Sequence, residues 1–138
     1  MNKMNPVVHF EMPYEDPKRV STFYTNAFGW GMQYLPDMGK YVLAGTTAVD
    51  EKTQRPKEPG AINGGFYPKS DTYGGIHVVI SVDNLEASME AVKKAGGKIQ
   101  GEIQDIPGIG RFVMFEDTEG NRVGMLQPMP MELLTLFL

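Results

Sequence analysis

One feature constrains this chain more than any other: it repeats itself. His77 follows His9 by 68 residues, Asp83 follows Asp16 by 67, and Gly96 follows Gly29 by 67. Each half reads as a histidine-bearing strand, an acid-capped helix, a glycine stop and three further strands. The apolar stripes of the two helices are out of phase, so the repeat is one of architecture rather than of close sequence. Half of 138 residues is too short to bury a good core alone, so the two halves must be used together. The expected fold class is therefore α+β, with two βαβββ modules whose curved mixed sheets enclose a shared cavity. One domain over 1–138 is expected, with module one at about 6–70, module two at about 73–128 and an apolar tail over 129–138.

Local signals place the elements. Val7–Glu11 favours a strand; Asp16 suits an N-cap and Pro17 the first helical position, where a missing N–H costs nothing. Val20, Phe23, Tyr24, Ala27 and Phe28 recur at helical spacing and predict a buried stripe, stopped by Gly29. Strands are expected at Met32–Leu35, Lys40–Ala44 and Ala61–Tyr67, with an exposed loop over Val49–Gly60. In the second half, Ile76–Val82 is β-branched, and Asp83 with Glu86 resembles a capping box. Leu85, Met89 and Val92 give the helical stripe before Gly96–Gly97. Strands then follow at Lys98–Ile103, Arg111–Phe115 and Asn121–Gln127, the last two joined by a turn at Asp117–Gly120.

Composition narrows the chemistry. Thirteen basic residues against 17 acidic ones give a net charge of −4, which disfavours nucleic acid as a partner. No apolar run reaches the roughly 18 residues that span a membrane, and the first residues do not read as a signal peptide. A cytoplasmic protein without a membrane partner is the expectation. There are no cysteines, which removes disulfides, thiolate metal sites and a cysteine nucleophile. Any transition-metal chemistry must then run through the two histidines, His9 and His77, and oxygen donors. Alternate residues of a strand share a face, so Glu11 lies beside His9, and Val79 and Ser81 beside His77. Paired histidines at matching repeat positions suggest metal ligands; equally, each fits a hydrogen-bonded strand residue with no ligand role.

The stretch His9-Phe-Glu-Met-Pro-Tyr-Glu-Asp-Pro, Phe23-Tyr24 and Phe28-Gly29-Trp30 resembles the vicinal oxygen chelate superfamily. So do His77 with Ser81-Val-Asp-Asn, Gly96-Gly97 and Phe115-Glu-Asp-Thr-Glu-Gly-Asn. That superfamily holds glyoxalase I, bleomycin-resistance proteins and extradiol dioxygenases, and the resemblance covers residues 6 to 128. Pro107-Gly-Ile-Gly-Arg-Phe and Leu126-Gln-Pro look like a bacterial branch of single-domain members without an assigned substrate. The resemblance implies a small-molecule ligand and a homodimer. It also implies a divalent metal such as zinc, nickel, iron or manganese, or no cofactor at all. In the glyoxalase I branch the metal histidines fall on His9 and His77. The glutamate of the last strand falls on Gly124, and that of the first module falls near Asn63. Two carboxylates are thus missing, and glyoxalase I activity is not expected; Glu11 is the available third donor or a catalytic base.

Asn63, Trp30 and Arg122 are the remaining candidates for ligand binding. The clusters Gly60-Ala-Ile-Asn-Gly-Gly and Pro107-Gly-Ile-Gly lack phosphate-loop spacing and read as turns, bulges or close backbone approach. Three functions fit these features. One is a metal-assisted lyase, isomerase or dioxygenase. A second is a metal-free protein that binds or sequesters a small molecule, and a third is a structural dimer with a vestigial cavity. The missing carboxylates favour the second over a glyoxalase-type enzyme, and the paired histidines argue against the third.

Overall fold

The computed structural model describes residues 3–70 and 75–129. Residues 130–138, which hold nearly all of the apolar tail, lie outside them. The chain runs β1 (Val7–Tyr14), α1 (Pro17–Phe28), β2 (Gly31–Leu35), β3 (Tyr41–Gly45), β4 (Asn63–Pro68), β5 (His77–Ser81), α2 (Leu85–Lys94), β6 (Lys98–Ile106), β7 (Gly110–Glu116) and β8 (Arg122–Pro128). This is βαβββ written twice, as the repeat demands. In module one, β2 pairs antiparallel with β3 and β3 with β4, while β4 runs parallel to β1. Module two copies the pattern: β6–β7 and β7–β8 are antiparallel, and β8 is parallel to β5. Two compact units result, one of His9–His77 and one of the described residues of Met1–Val8 with Val78–Leu138. In the latter, Ser81 N–H donates to Pro6 O at 2.9 Å and Lys3 pairs with Asp83 at 2.9 Å. No helix among the described residues is long and apolar enough to cross a membrane.

Each helix packs on one face of the strands of its own module. Tyr14, Val42, Ala44 and Phe66 are buried beneath α1, joined by Phe10, Met12, Val20, Tyr24, Trp30 and Met32. Val82, Leu85, Val113, Phe115 and Met125 form the core beneath α2. Asp16 caps α1 by accepting from the N–H groups of Lys18 and Arg19, both at 3.0 Å, and Gly29 closes it at φ 71°.

Three local expectations are corrected. The cap of α2 is Asn84, which accepts from Ala87 N–H at 2.9 Å; Asp83 is instead drawn to the Lys3 ammonium. The strand expected to end at Ile103 continues to Ile106, because a register shift at Gly101 (φ 80°) absorbs the irregularity and pairing resumes. The α1 aromatics are not all core: Phe23 is 57% and Phe28 65% exposed, because the stripe is wider than the sheet face beneath it.

Candidate functional site

Along β1 the side chains alternate, so Phe10, Met12 and Tyr14 serve the α1 core while His9 and Glu11 share the opposite face. Parallel pairing sets His9 beside Asn63 and Glu11 beside Gly65, and antiparallel pairing sets Leu43 across from Gly65. The Gly64-Gly65 dipeptide therefore presents bare backbone on both faces. A Cβ on Gly64 would fall 2.5 Å from the Phe10 ring, and one on Gly65 would fall 2.1 Å from the Tyr41 ring. The close backbone approach expected of this glycine cluster is real, and an aromatic ring causes it on each side.

Tyr41 begins β3 two residues before Leu43, and its ring crosses diagonally over Gly65 toward β1. The turn before it is fixed tightly. Gly39 and Lys40 are both left-handed (φ 67° and 58°), Tyr41 N–H closes on Met38 O at 3.3 Å, and the Tyr14 hydroxyl holds Lys40 O at 2.5 Å. Lys40 pays the cost of a conformation most side chains avoid, which sets where β3 starts and hence where Tyr41 lies. From there the Tyr41 oxygen is 2.9 Å from His9 Nε2.

The other side of Glu11 is closed by His77, the first residue of β5, whose Nε2 lies 2.7 Å from Glu11 Oε1. The two side chains are only 9% and 16% exposed. Tyr67 completes the wall: its ring is 5.6 Å from the His77 ring, and its hydroxyl donates to Gly75 O. His9 with Tyr41 and Glu11 with His77 thus form two hydrogen-bonded pairs, side by side in the His9–His77 unit.

Its electrostatics follow from burial and neighbours. Burial works against the Glu11 charge, but the His77 hydrogen bond, the nearby Tyr41 hydroxyl and the two imidazoles outweigh it and hold the carboxyl below its usual pKa. Burial lowers the pKa of His9; Glu11 opposes that and His77 adds to it, so His9 is neutral at pH 7. Burial first, then the nearby Glu11 carboxylate, push the Tyr41 phenol far above its ordinary range, so it keeps its proton.

The remaining sequence candidates lie elsewhere. Asn63 neighbours His9, but its Oδ1 accepts from Thr46 N–H at 2.7 Å and Thr47 N–H at 3.0 Å, pinning the base of the loop before β4. Trp30 stacks on Tyr24 (4.6 Å, 14°) and joins the α1 core, away from the His9 face. Arg122 is exposed on β8, opposite Glu116 in register. Sequence reasoning missed Tyr41 altogether. Its signal was the Gly64-Gly65 pair, which asks for a large ring on a neighbouring strand.

A resident divalent metal does not fit this arrangement. Each histidine commits its Nε2 to a protein partner, and among the described residues no three histidine, aspartate or glutamate side chains converge at ligand spacing. In module two a Cβ on Gly124 would lie 2.6 Å from the Phe112 ring and 3.3 Å from Val79, so that ring fills the place a longer side chain would need.

Known proteins agree with the fold. A family model described as Glyoxalase/Bleomycin resistance protein/Dioxygenase superfamily matches residues 7–125. A glyoxylase-like domain-containing protein of Didymella fabae is 34% identical over 116 residues, covering 80% of this chain and 84% of that protein. A putative glyoxylase of Mycobacterium tuberculosis is 36% identical over 115 residues, which are 81% of this chain but only 41% of that longer protein. Among solved structures, a hypothetical protein from Bacillus halodurans aligns with TM-score 0.65 at 20% identity, covering 92% of this chain and 96% of that one. Methylmalonyl-CoA epimerase from M. tuberculosis aligns with TM-score 0.65 at 15% identity, covering 94% and 91%. With the twice-written βαβββ topology and a family match over most of its length, the chain belongs to the glyoxalase/bleomycin resistance protein/dioxygenase superfamily.

Proposed function

We propose that the protein binds a small oxygen-bearing molecule on the His9 face of module one, and does so without a resident metal. The observation that carries this is the Glu11 carboxylate, sheltered from solvent and paired with His77 at 2.7 Å, with its pKa held below the usual carboxyl value. A carboxylate with a depressed pKa is a weak base but a strong hydrogen-bond acceptor, so it suits recognition of a ligand hydroxyl or amine. Glu11, His9 and His77 are the recognition groups in this reading, with Asn63 beside them and Trp30 and Arg122 outside.

A second reading is a proton-transfer enzyme of the isomerase or lyase kind. The ionised Glu11 takes the Nε2–H of His77, which leaves His77 Nδ1 with a lone pair for removing a proton from a carbon acid. Methylmalonyl-CoA epimerase shares the fold at low identity, so the fold itself is compatible with such chemistry.

Thermal-shift measurements with a panel of 2-oxo acids, 2-hydroxy acids and catechols test the first reading, on the wild type and on Glu11→Gln. A compound that stabilises the wild type but not the variant supports it. No stabilising compound, or equal stabilisation of both proteins, overturns it. Proton–deuteron exchange into a bound compound in D2O, abolished in His77→Ala, selects the second reading over simple binding.

A further inference from the structure

The outer strands of the two modules differ in how their open edges are guarded. Among the described residues β2, outermost in module one, pairs only with β3, and β6, outermost in module two, pairs only with β7. An outer strand leaves a row of backbone N–H and C=O groups unpaired, and such an edge recruits another strand unless charge, proline or a bulge prevents it. β6 has two of these guards. Lys98, Glu102 and Asp105 place charges along it, and a register shift between Gln100 and Gln104, with Gly101 left-handed at φ 80°, breaks its line. β2 has none: it reads Gly31-Met-Gln-Tyr-Leu, without charge or proline, and its register against β3 runs unbroken from Gly31 to Leu35.

The order of residues in β2 says what fits this edge. A two-fold axis reverses strand direction, so a strand that meets its own copy does so antiparallel. The register that pairs all five residues is centred on Gln33. It sets the two Gln33 side chains against each other, where each amide can donate to and accept from its twin. It also sets Met32 of each chain against Tyr34 of the other, a favourable contact of thioether with aromatic ring. Met32 packs on the α1 core, so the contact extends that core across the axis. Gln33 is exposed and Tyr34 is 43% exposed in the single chain, so both are available.

We propose that β2 is a homodimer edge: two copies of this chain join by antiparallel β2–β2 pairing about Gln33. A contact built on five residues a side buries less than the roughly 1,200 Å² of a stable complex, so the dimer is reversible and fills at high micromolar concentration. The proposal goes beyond the ligand reading and does not depend on it.

The chain has no cysteine, so an introduced one reports alone. Gln33→Cys would bring two thiols together on the axis at a Cα separation of about 4.5–5.5 Å, within reach of a disulfide. Oxidised at high micromolar concentration, this variant should become a covalent dimer. Gln104→Cys, also exposed but on the guarded β6, should cross-link at least about tenfold more slowly. Sedimentation equilibrium of the wild type should show a monomer–dimer equilibrium. Gln33→Lys should weaken it at least about tenfold, because like charges would meet on the axis, while the melting temperature of the dilute protein stays that of the wild type. A wild type monomeric at high micromolar concentration, an association untouched by Gln33→Lys, or equal cross-linking at positions 33 and 104 would overturn the proposal. So would β2 amides protected from hydrogen exchange at every concentration, which would put residues 130–138 of the same chain on this edge.

Discussion

The two modules solve one packing problem in two ways. Each must cover a glycine on its last strand, and each does so with an aromatic ring from the middle strand. In module two the result is dry: Phe112, Gly124 and Val79 meet with no polar atom among their side chains. In module one the same geometry carries a hydroxyl bonded to the His9 imidazole, and the strand beside the glycine carries the Glu11 carboxylate. At equivalent positions of the repeated scaffold, module one carries Glu11 and Tyr41 where module two carries Val79 and Phe112. Binding groups built on strands and braced by packed rings are held more firmly than groups on loops.

The glycines give the largest test of this comparison. Gly65→Ala should destabilise by about 3 kcal/mol, the upper end for overpacking, because Tyr41 is tied by its hydroxyl and cannot swing aside. Gly124→Ala should cost less, about 1–2 kcal/mol, since nothing but packing holds Phe112. Urea denaturation measures both; an equal or reversed order would break the account of Tyr41 as tethered.

Exchanging the rings comes next. Phe112→Tyr should gain no stability, because the half-buried Phe112 ring already covers Gly124 without a hydroxyl. Tyr41→Phe should cost about 1–2 kcal/mol through the hydrogen bond it removes. If Phe112→Tyr stabilises, module two is wetter than described and the contrast weakens.

Acid sharpens the comparison further, since the sheltered carboxyl and imidazole with depressed pKa, Glu11 and His9, both lie in module one. Glu11 is depressed, so its stabilisation is present above the unfolded carboxyl pKa and is lost as pH falls through the lower folded value. His9 is also depressed, so the unfolded state takes up a proton first, and stability declines as pH drops below about 6.5. The melting temperature should therefore fall from pH 7 toward pH 4, and His9→Gln should flatten the upper part of that decline. The smallest effect belongs to the exposed face of α1: Phe28→Ser should change stability by no more than about 0.5 kcal/mol.

Much of this was legible in the sequence. The offsets of 67 and 68 residues predicted the βαβββ repeat, and Asp16 and Gly29 marked α1 because local backbone needs dictate those residue types. The alternation of β1 placed Glu11 with His9. Tyr41 stayed hidden because it lies 32 residues from His9, and only the strand register brings them together. The cap of α2 was misread because Asp83 and Asn84 are both good caps; Asn84 takes the role and Asp83 pairs with Lys3. Phe23 and Phe28 were misread because helical periodicity reports a stripe but not the width of the surface beneath it.

The central claim is that His9, Tyr41, Glu11 and His77 satisfy one another without a metal. Elemental analysis of protein purified without a histidine tag, followed by calorimetric titration with zinc, nickel, iron and manganese, tests it directly in the wild type and in His77→Ala. The account predicts no stoichiometric metal on purification and no added-metal binding that depends on His77. One metal ion per chain, lost in His77→Ala, would contradict it.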